Sequence, residues 1–284
     1  MNQADANDVP KALHYLRQDV FAHNGMIGEI ENNMPPVPRQ VWTATDERGE
    51  VNGVLVLDEF EERISVQLTA DSEAAVAALL SRLDPLREYQ FIVHSDLWPW
   101  IQPLLADVAP LSEHRAFRLA ALAGGLATHE AVRRLTSKDA PMLERFPASD
   151  KYREPPLSLQ VQWAEQEPSQ YALFGWVQAG ELLSYVQFAY QIDAIWEIGM
   201  IRTRPADRGK GYARGLLSHA SREMLGRGLV LLYTVAADNL ASLRTAQAAG
   251  YEEAFRTISC NARVNIRNRV FGKNSVSTVS NPGF

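Results

Sequence analysis

Ile201-Arg202-Thr203-Arg204-Pro205-Ala206-Asp207-Arg208-Gly209-Lys210-Gly211-Tyr212-Ala213 joins two patterns of different period. Before it, Ala194 to Thr203 is β-rich. After it, Gly211 to Arg227 carries Ala213, Leu216, Leu217, Ala220 and Met224 at the spacing of an amphipathic helix that Gly228 ends. Pro205 stops the strand. Strand, glycine-rich loop and helix in that order bring unpaired amide N–H groups and the positive end of a helix dipole to one place, which suits a pyrophosphate. Arg208 and Lys210 add positive charge, and two glycines let the backbone come close. Alone, a Gly-Lys-Gly triplet reads as a surface turn.

The flanking sequence supplies the frame. Upstream, Ala131 to Leu135 reads as a strand and Asp139 to Phe146 as a short helix capped by Ser137 or Asp139. Tyr171 to Gln178 and Leu182 to Tyr190 form a hairpin across Ala179-Gly180-Glu181. Downstream, Leu229 to Ala236 is continuously apolar, as in a strand buried on both faces and central in a sheet. Asp238 or Asn239 caps a helix from Leu240 to Ala249, Gly250 closes it, and Tyr251 to Cys260 returns as a strand. The tail from Gly272 to Phe284 is rich in Ser, Asn, Gly and Pro and reads as frayed.

The N-terminal half repeats this order with almost none of the same residues. Val41 to Thr45 and Val51 to Leu57 make a hairpin across Glu47 to Glu50, and Ile64 to Thr69 adds a third strand. Ser72 to Leu83 reads as a helix, Tyr89 to His94 as a buried strand, Leu97 to Leu105 as a proline-broken helical stretch and Arg115 to Ala120 as a closing strand. Leu97-Trp98-Pro99-Trp100 fits aromatic packing. Thr69 corresponds to Thr203 and Asp96 to Asp238, and the second offset exceeds the first by the length of Arg204 through Gly211. The simplest reading is one fold twice, the first time without the loop. The domains expected are 1–123 and 124–271, parted at the small residues Ala121 to Ala127, with 272–284 as a flexible tail.

The two C-terminal patterns resemble the GNAT (Gcn5-related N-acetyltransferase) superfamily. Arg208-Gly209-Lys210-Gly211-Tyr212-Ala213 is similar to its Arg-Gly-x-Gly-x-Ala signature, and Asn239 followed by Gly250-Tyr251 matches its second. The resemblance covers about Ala131 to Cys260 well, and the N-terminal half by pattern alone. It implies an α/β fold of two GNAT-like domains, each a mixed, mostly antiparallel sheet flanked by helices, with a splayed fourth and fifth strand in the C-terminal one. It also implies acetyl-CoA as co-substrate, its pyrophosphate on the amides of residues 208 to 213 and its pantetheine along Ile201, Arg202 and Thr203. Asn239, with Ser242 beside it, would meet the pantetheine arm or the thiol end; the competing reading of Asn239 is a plain helix cap. The N-terminal half offers Asp71 and Glu73 at the matching place, so no CoA is expected there.

Direct transfer to an amine needs a base, an oxyanion donor and a proton for the leaving thiolate. Glu197, in an otherwise apolar strand, is the candidate base; the alternative is a carboxylate facing solvent beside the groove. An amide near Ile201 would serve the oxyanion. The family's usual acid, a tyrosine seven residues after the asparagine, is replaced here by Ala246, and Tyr185, Tyr190 and Tyr233 on neighbouring strands are open substitutes. The expected activity is therefore N-acetylation of a small-molecule or peptide amine. The alternative is an acyl-CoA-binding or interaction module without catalysis.

Composition narrows the rest. With 284 residues, 46% hydrophobic and 22% charged, the chain is long enough for two cores. A net charge of −6 excludes a generic cationic field for nucleic acid. One cysteine, Cys260, allows no internal disulfide, and no apolar run of about 18 residues suggests a membrane span. A cytoplasmic protein is expected, without nucleic-acid or membrane partners; a homodimer stays open. His14, His23, His94, His114, His129 and His219 lack metal-ligand spacing, so no metal is expected.

Overall fold

The computed structural model describes residues 9–32, 37–121, 128–147 and 155–265. In chain order its elements are α1 (Val9–Leu16), α2 (Asn24–Asn32), β1 (Arg39–Thr45), β2 (Val51–Glu59), β3 (Ile64–Ala70), α3 (Glu73–Leu80), β4 (Tyr89–His94), α4 (Trp98–Ile101) and β5 (Leu105–Leu119). Then follow β6 (Val132–Arg134), α5 (Ala140–Leu143), α6 (Leu157–Gln166), β7 (Tyr171–Gln178), β8 (Glu181–Ile192), β9 (Ile195–Thr203), α7 (Tyr212–Gly226), β10 (Val230–Ala236), α8 (Leu240–Ala248) and β11 (Glu252–Val264).

Two compact units result, and they interleave along the chain. Unit one takes the described parts of Met1–Tyr15, Val37–Leu111 and Ile258–Phe284; unit two takes those of Leu16–Pro36 and Ser112–Thr257. A single cut near residue 124 therefore does not separate them, because β5 and β11 each contribute to both. Residues 122–127, where the cut was expected, and the tail 272–284 lie outside the described residues.

In unit one, β1, β2 and β3 form an antiparallel meander, and β3 pairs in parallel with β4 from Ser65↔Gln90 to Leu68↔Val93. The turn between β1 and β2 is held by Asp46, whose Oδ1 accepts from the amides of Arg48 and Glu50. Helix α3 covers one face through Ala75, Val76, Leu79 and Leu80. Every second residue of the last strand segment, Ile258, Cys260, Ala262 and Val264, enters the same core. Trp98 and Trp100 pack against it, as their proline-bounded sequence suggested.

Unit two repeats the scheme at larger scale. β6, β7, β8 and β9 are antiparallel neighbours, β9 and β10 run parallel, and β10 pairs antiparallel with β5 from Leu231↔Leu119 to Ala236↔His114. Helices α7 and α8 pack on one face, where Leu216, Leu217, Ala220, Met224, Leu243 and Ala246 meet Leu231, Tyr233 and Val235. Leu232 points to the other face, with Ile195 and Ala116.

Where the reading of the sequence differs, the cause is local. Asp139 stands at the N-cap position of α5 as one of the two expected candidates but makes no side-chain bond into that helix; its carboxylate closes a reciprocal box with Thr136, which caps the preceding turn. α1, α2 and α6 lie outside the elements expected from the sequence. In α6 the buried position Gln160 is polar, its amide donating to the Pro155 carbonyl at 2.8 Å, and this breaks the apolar spacing.

Candidate active site

The loop from Arg204 to Gly211 is braced from within. Pro205–Asp207 form a single three-ten turn, and the buried Asp207 receives Arg204 Nε at 2.8 Å and Lys210 Nζ at 2.8 Å. Hydrogen bonds from Lys210 first, then Arg204, hold the Asp207 carboxyl below its ordinary range. Arg204 also reaches Glu181 at 3.2 Å, which ties the loop to the start of β8. Lys210 pairs with Asp207, a carboxylate three residues back within the same turn, and its side chain stays half exposed. Arg208 is exposed, with a long 3.5 Å approach to the Thr203 carbonyl.

The backbone adds donors of its own. Gly209 and Gly211 have φ of +77° and +85°, and a Cβ built at either meets nothing within 4 Å. Glycine is thus required by conformation, not by crowding, and the space in front of both residues is open. Gly211 caps α7 without a side chain, and the first bond into the helix runs from Gly215 N to Gly211 O. The amides of Tyr212, Ala213 and Arg214 therefore precede the helical ladder, at the positive end of a helix fifteen residues long. Tyr212 is fixed edge-on against Trp176, which stacks on His129. His129 N in turn donates to His219 Nδ1 at 3.0 Å. Nothing in the sequence spacing pointed to this clamp, which joins α7 to β7 across the segment before β6.

Next to the loop the sheet opens. β9 and β10 pair only at Val230↔Ile195, Leu231↔Trp196 and Leu232↔Glu197. Beyond that point Ile198 to Thr203 keep their partners on β8, while the edge facing β10 is unpaired. The register between β8 and β9 also slips, with Phe188 opposite Ile198 and Gln187 opposite Met200, so Gly199 bulges out of the ladder. Ile201, Arg202 and Thr203 follow directly on the bulge. Arg202 donates to the Pro147 carbonyl at 3.1 Å and lies over the Phe146 ring.

Glu197 occupies the last paired register, where the strands part. It shares a face with Leu232 and Thr234, opposite to α7 and α8, and accepts from Gln191 Nε2 at 3.0 Å. Enclosure pushes its carboxyl pKa up, and an interaction with Thr234 opposes part of that rise. The strand's other alternate residues, Trp196 and Ile198, are in the core. At the start of α8, Asn239 Oδ1 accepts from Ser242 N at 3.2 Å, so the cap reading of Asn239 is realised and its NH2 takes no part in it. Ala246 is fully buried.

Against known proteins, the Acetyltransferase (GNAT) family model matches residues 130–251. Residues 130–251 are a GNAT-family domain. No curated protein matches the sequence. Among solved structures, a GNAT-family acetyltransferase from Colwellia psychrerythraea is 14% identical with a TM-score of 0.61, over 93% of this chain and 99% of that one. A GCN5-related N-acetyltransferase from Sphaerobacter thermophilus is 12% identical with a TM-score of 0.56, over 92% and 94%. A tandem GNAT protein from the clavulanic acid biosynthesis pathway is 17% identical with a TM-score of 0.55, over 91% and 96%. At these identities the likeness establishes the fold, and it spans both units. The GNAT domain thus contains the loop, the opening between β9 and β10, Glu197 and Asn239. Unit one lies outside the family match. Among the described residues no group of acidic, histidine or cysteine side chains is arranged to hold a metal, and no helix is long and apolar enough to cross a membrane.

Proposed function

We propose that unit two is an acetyl-CoA-dependent N-acetyltransferase acting on the amine of a small molecule or peptide, inside the cell. One observation supports this above the others: the glycine loop and the first amides of α7 follow directly on the strand edge of β9 that has no partner in β10 and leads back to Glu197. The fit to a CoA ester follows from the donor set. Amides in left-handed glycines and a helix start suit a pyrophosphate, with Arg208 adding charge. The open edge of Ile201, Arg202 and Thr203 suits the amides of a pantetheine arm, with Asn239 and Ser242 at the start of α8 as its proposed further contacts. When bound, the thioester would supply the activated acyl group.

The chain's own residues account for the rest. Glu197, its pKa raised by enclosure, is suited to take the proton that an amine sheds as the new C–N bond forms. Amides around the Gly199 bulge are displaced from the ladder and are the candidates for oxyanion donors. The test is release of free CoA thiol across amines, amino acids, polyamines and aminoglycosides. Turnover with one acceptor class supports the enzyme. Acetyl-CoA binding with no release above the hydrolytic background in any class would favour the non-catalytic binding module.

A further inference from the structure

Direct acyl transfer leaves a thiolate, and the position where the family places a phenol is held by Ala246, a buried methyl in the core under α8. Four tyrosines lie near enough in the sheet to be considered. Tyr185 donates to Met200 Sδ at 2.9 Å on the face away from α8. Tyr190 uses its oxygen to accept from Asp193 N at 3.0 Å, in the turn between β8 and β9. Tyr251 is fully enclosed, its hydroxyl paired with Ser221 Oγ at 2.7 Å. Tyr233 is buried as well, but it differs in where its hydroxyl goes, because its ring lies on the α8 face and its partner, Ser242, belongs to α8 itself.

Tyr233 is the first residue of β10 beyond the last register shared with β9, so it stands at the point where the two strands diverge. Its ring is on the α7 and α8 face, in one core cluster with Ala246, and is held edge-on by Tyr251 at 6.2 Å between centroids. Its hydroxyl interacts with the side chain of Ser242, which is partly exposed beside the Asn239 cap. Ser242 and Ala246 are one turn apart on the same face of α8. The phenol that is missing at 246 is thus delivered from the strand to the adjacent turn of the helix.

We infer that Tyr233 is the proton donor to the departing sulfur, with Ser242 as the hydroxyl that links it to the opening. Glu197 and Tyr233 are then base and acid on opposite faces of the parted strands. In the step, the amine nitrogen forms the C–N bond, the C–S bond breaks, and the electron pair of that bond goes to sulfur. Glu197 takes the proton from nitrogen, the Tyr233 proton passes to sulfur, and the phenolate regains a proton from water through Ser242. Burial raises the Tyr233 pKa, which keeps the phenol a donor at all working pH values. This assignment rests on the acyltransferase reading above.

Tyr233→Phe keeps the ring in place and removes the hydroxyl. The expected result is kcat lower by about 10²-fold with acetyl-CoA affinity unchanged by calorimetry. A second readout needs no turnover. Titrating the ultraviolet thiolate absorbance of CoA bound to the protein should show a thiol pKa higher in the variant by about one unit, because a hydrogen bond to the thiolate is lost. Unchanged kcat and an unchanged titration, or an affinity loss as large as the rate loss, would overturn the proposal. If circular dichroism shows Tyr233→Phe misfolded, Ser242→Ala takes its place, and it should shift the thiol titration in the same direction; no shift there overturns it equally. Failure of the wild type to bind CoA would defeat the acyltransferase reading, and this one with it. Wild-type binding with an unaltered titration defeats only the role of Tyr233.

Discussion

In unit one, Asp71 and Ser72 alone connect the third strand to its helix; in unit two, Arg204 to Gly211 make the same connection. The frames agree: three antiparallel strands, a helix, then a parallel strand. At the short junction the side chains of Asp71 and Ser72 are both engaged internally. Ser72 Oγ accepts from Ala75 N at 3.2 Å, Asp71 N donates to Asn52 O at 2.9 Å, and the Asp71 carboxylate accepts from Tyr15 at 2.7 Å. At the long junction the cap is a bare glycine and the helix amides are left over. The strands differ likewise. β3 and β4 stay paired up to Leu68↔Val93, whereas β9 and β10 part at Leu232↔Glu197. On the proposed reading, one longer loop and a few missing ladder bonds are what turn this frame into a site for an extended anionic ligand.

The most severe way to break the comparison is to separate the halves at the linker. A chain beginning at Thr128 loses Ser112–Leu119, the antiparallel partner of β10, along with the α2 segment of unit two. Phe117 and Leu119 leave its core. We expect no cooperative thermal transition, because β10 loses its antiparallel partner and two core side chains go with it, while domains are stable by only roughly 5–15 kcal/mol. A soluble, cooperatively melting fragment would show that the strand is dispensable.

Gly211→Glu attacks the long junction alone. It places a side chain at φ +85° and a negative charge among the amides, so acetyl-CoA affinity should fall more than about 100-fold in calorimetry. The strain costs roughly 1–2 kcal/mol of stability. The wild type should bind one acetyl-CoA per chain, as counted by native mass spectrometry. Two per chain would mean that the short junction also binds.

Glu197→Gln should lower kcat by about 10²-fold or more and leave acetyl-CoA affinity unchanged. In the wild type the rate should rise with pH through an apparent pKa above that of an ordinary glutamate, because the base acts ionised and enclosure raises its pKa. Stability runs the opposite way. Below the unfolded-state pKa both states hold the proton and Glu197 costs nothing; as pH rises toward the folded pKa, the unfolded state ionises first and the native state loses ground. Thermal denaturation should therefore find Glu197→Gln more stable than wild type at neutral pH and equal to it at low pH.

The smallest effect separates capping from ligand binding. Ser72→Ala and Asn239→Ala each remove a cap, at about 1 kcal/mol in chemical denaturation. Asn239→Ser restores a capping oxygen. If Asn239 also meets the cofactor, Asn239→Ser regains the stability but not the affinity, while Ser72→Ala never affects affinity. Full recovery of both by Asn239→Ser would reduce Asn239 to a cap.

Signals carried by neighbouring residues were legible in the sequence. β7 falls on its expected bounds, α7 and β10 within a residue or so, and Asn239 and Gly250 bound α8 as their types suggest. Glu197 stood out as a carboxylate in an apolar strand, and the glycines between strand and helix marked the loop. Each depends on φ, on period or on a side chain reaching its own backbone, which a few consecutive residues determine. Other features were settled only by residues distant in the chain. Ser112–Leu119 completes the second unit and Ile258–Val264 the first, a placement no local pattern encodes. The end of pairing at Leu232↔Glu197, the slip at Gly199 and the approach of Tyr233 to Ser242 all depend on how separate strands and helices pack. Sequence by itself determined which segments could be strand, helix or anion-binding loop, because those preferences are short-range. Tertiary structure decided which edges stay unpaired and which polar groups meet across them, because hydrogen-bond ladders and burial are set by partners far away in the chain.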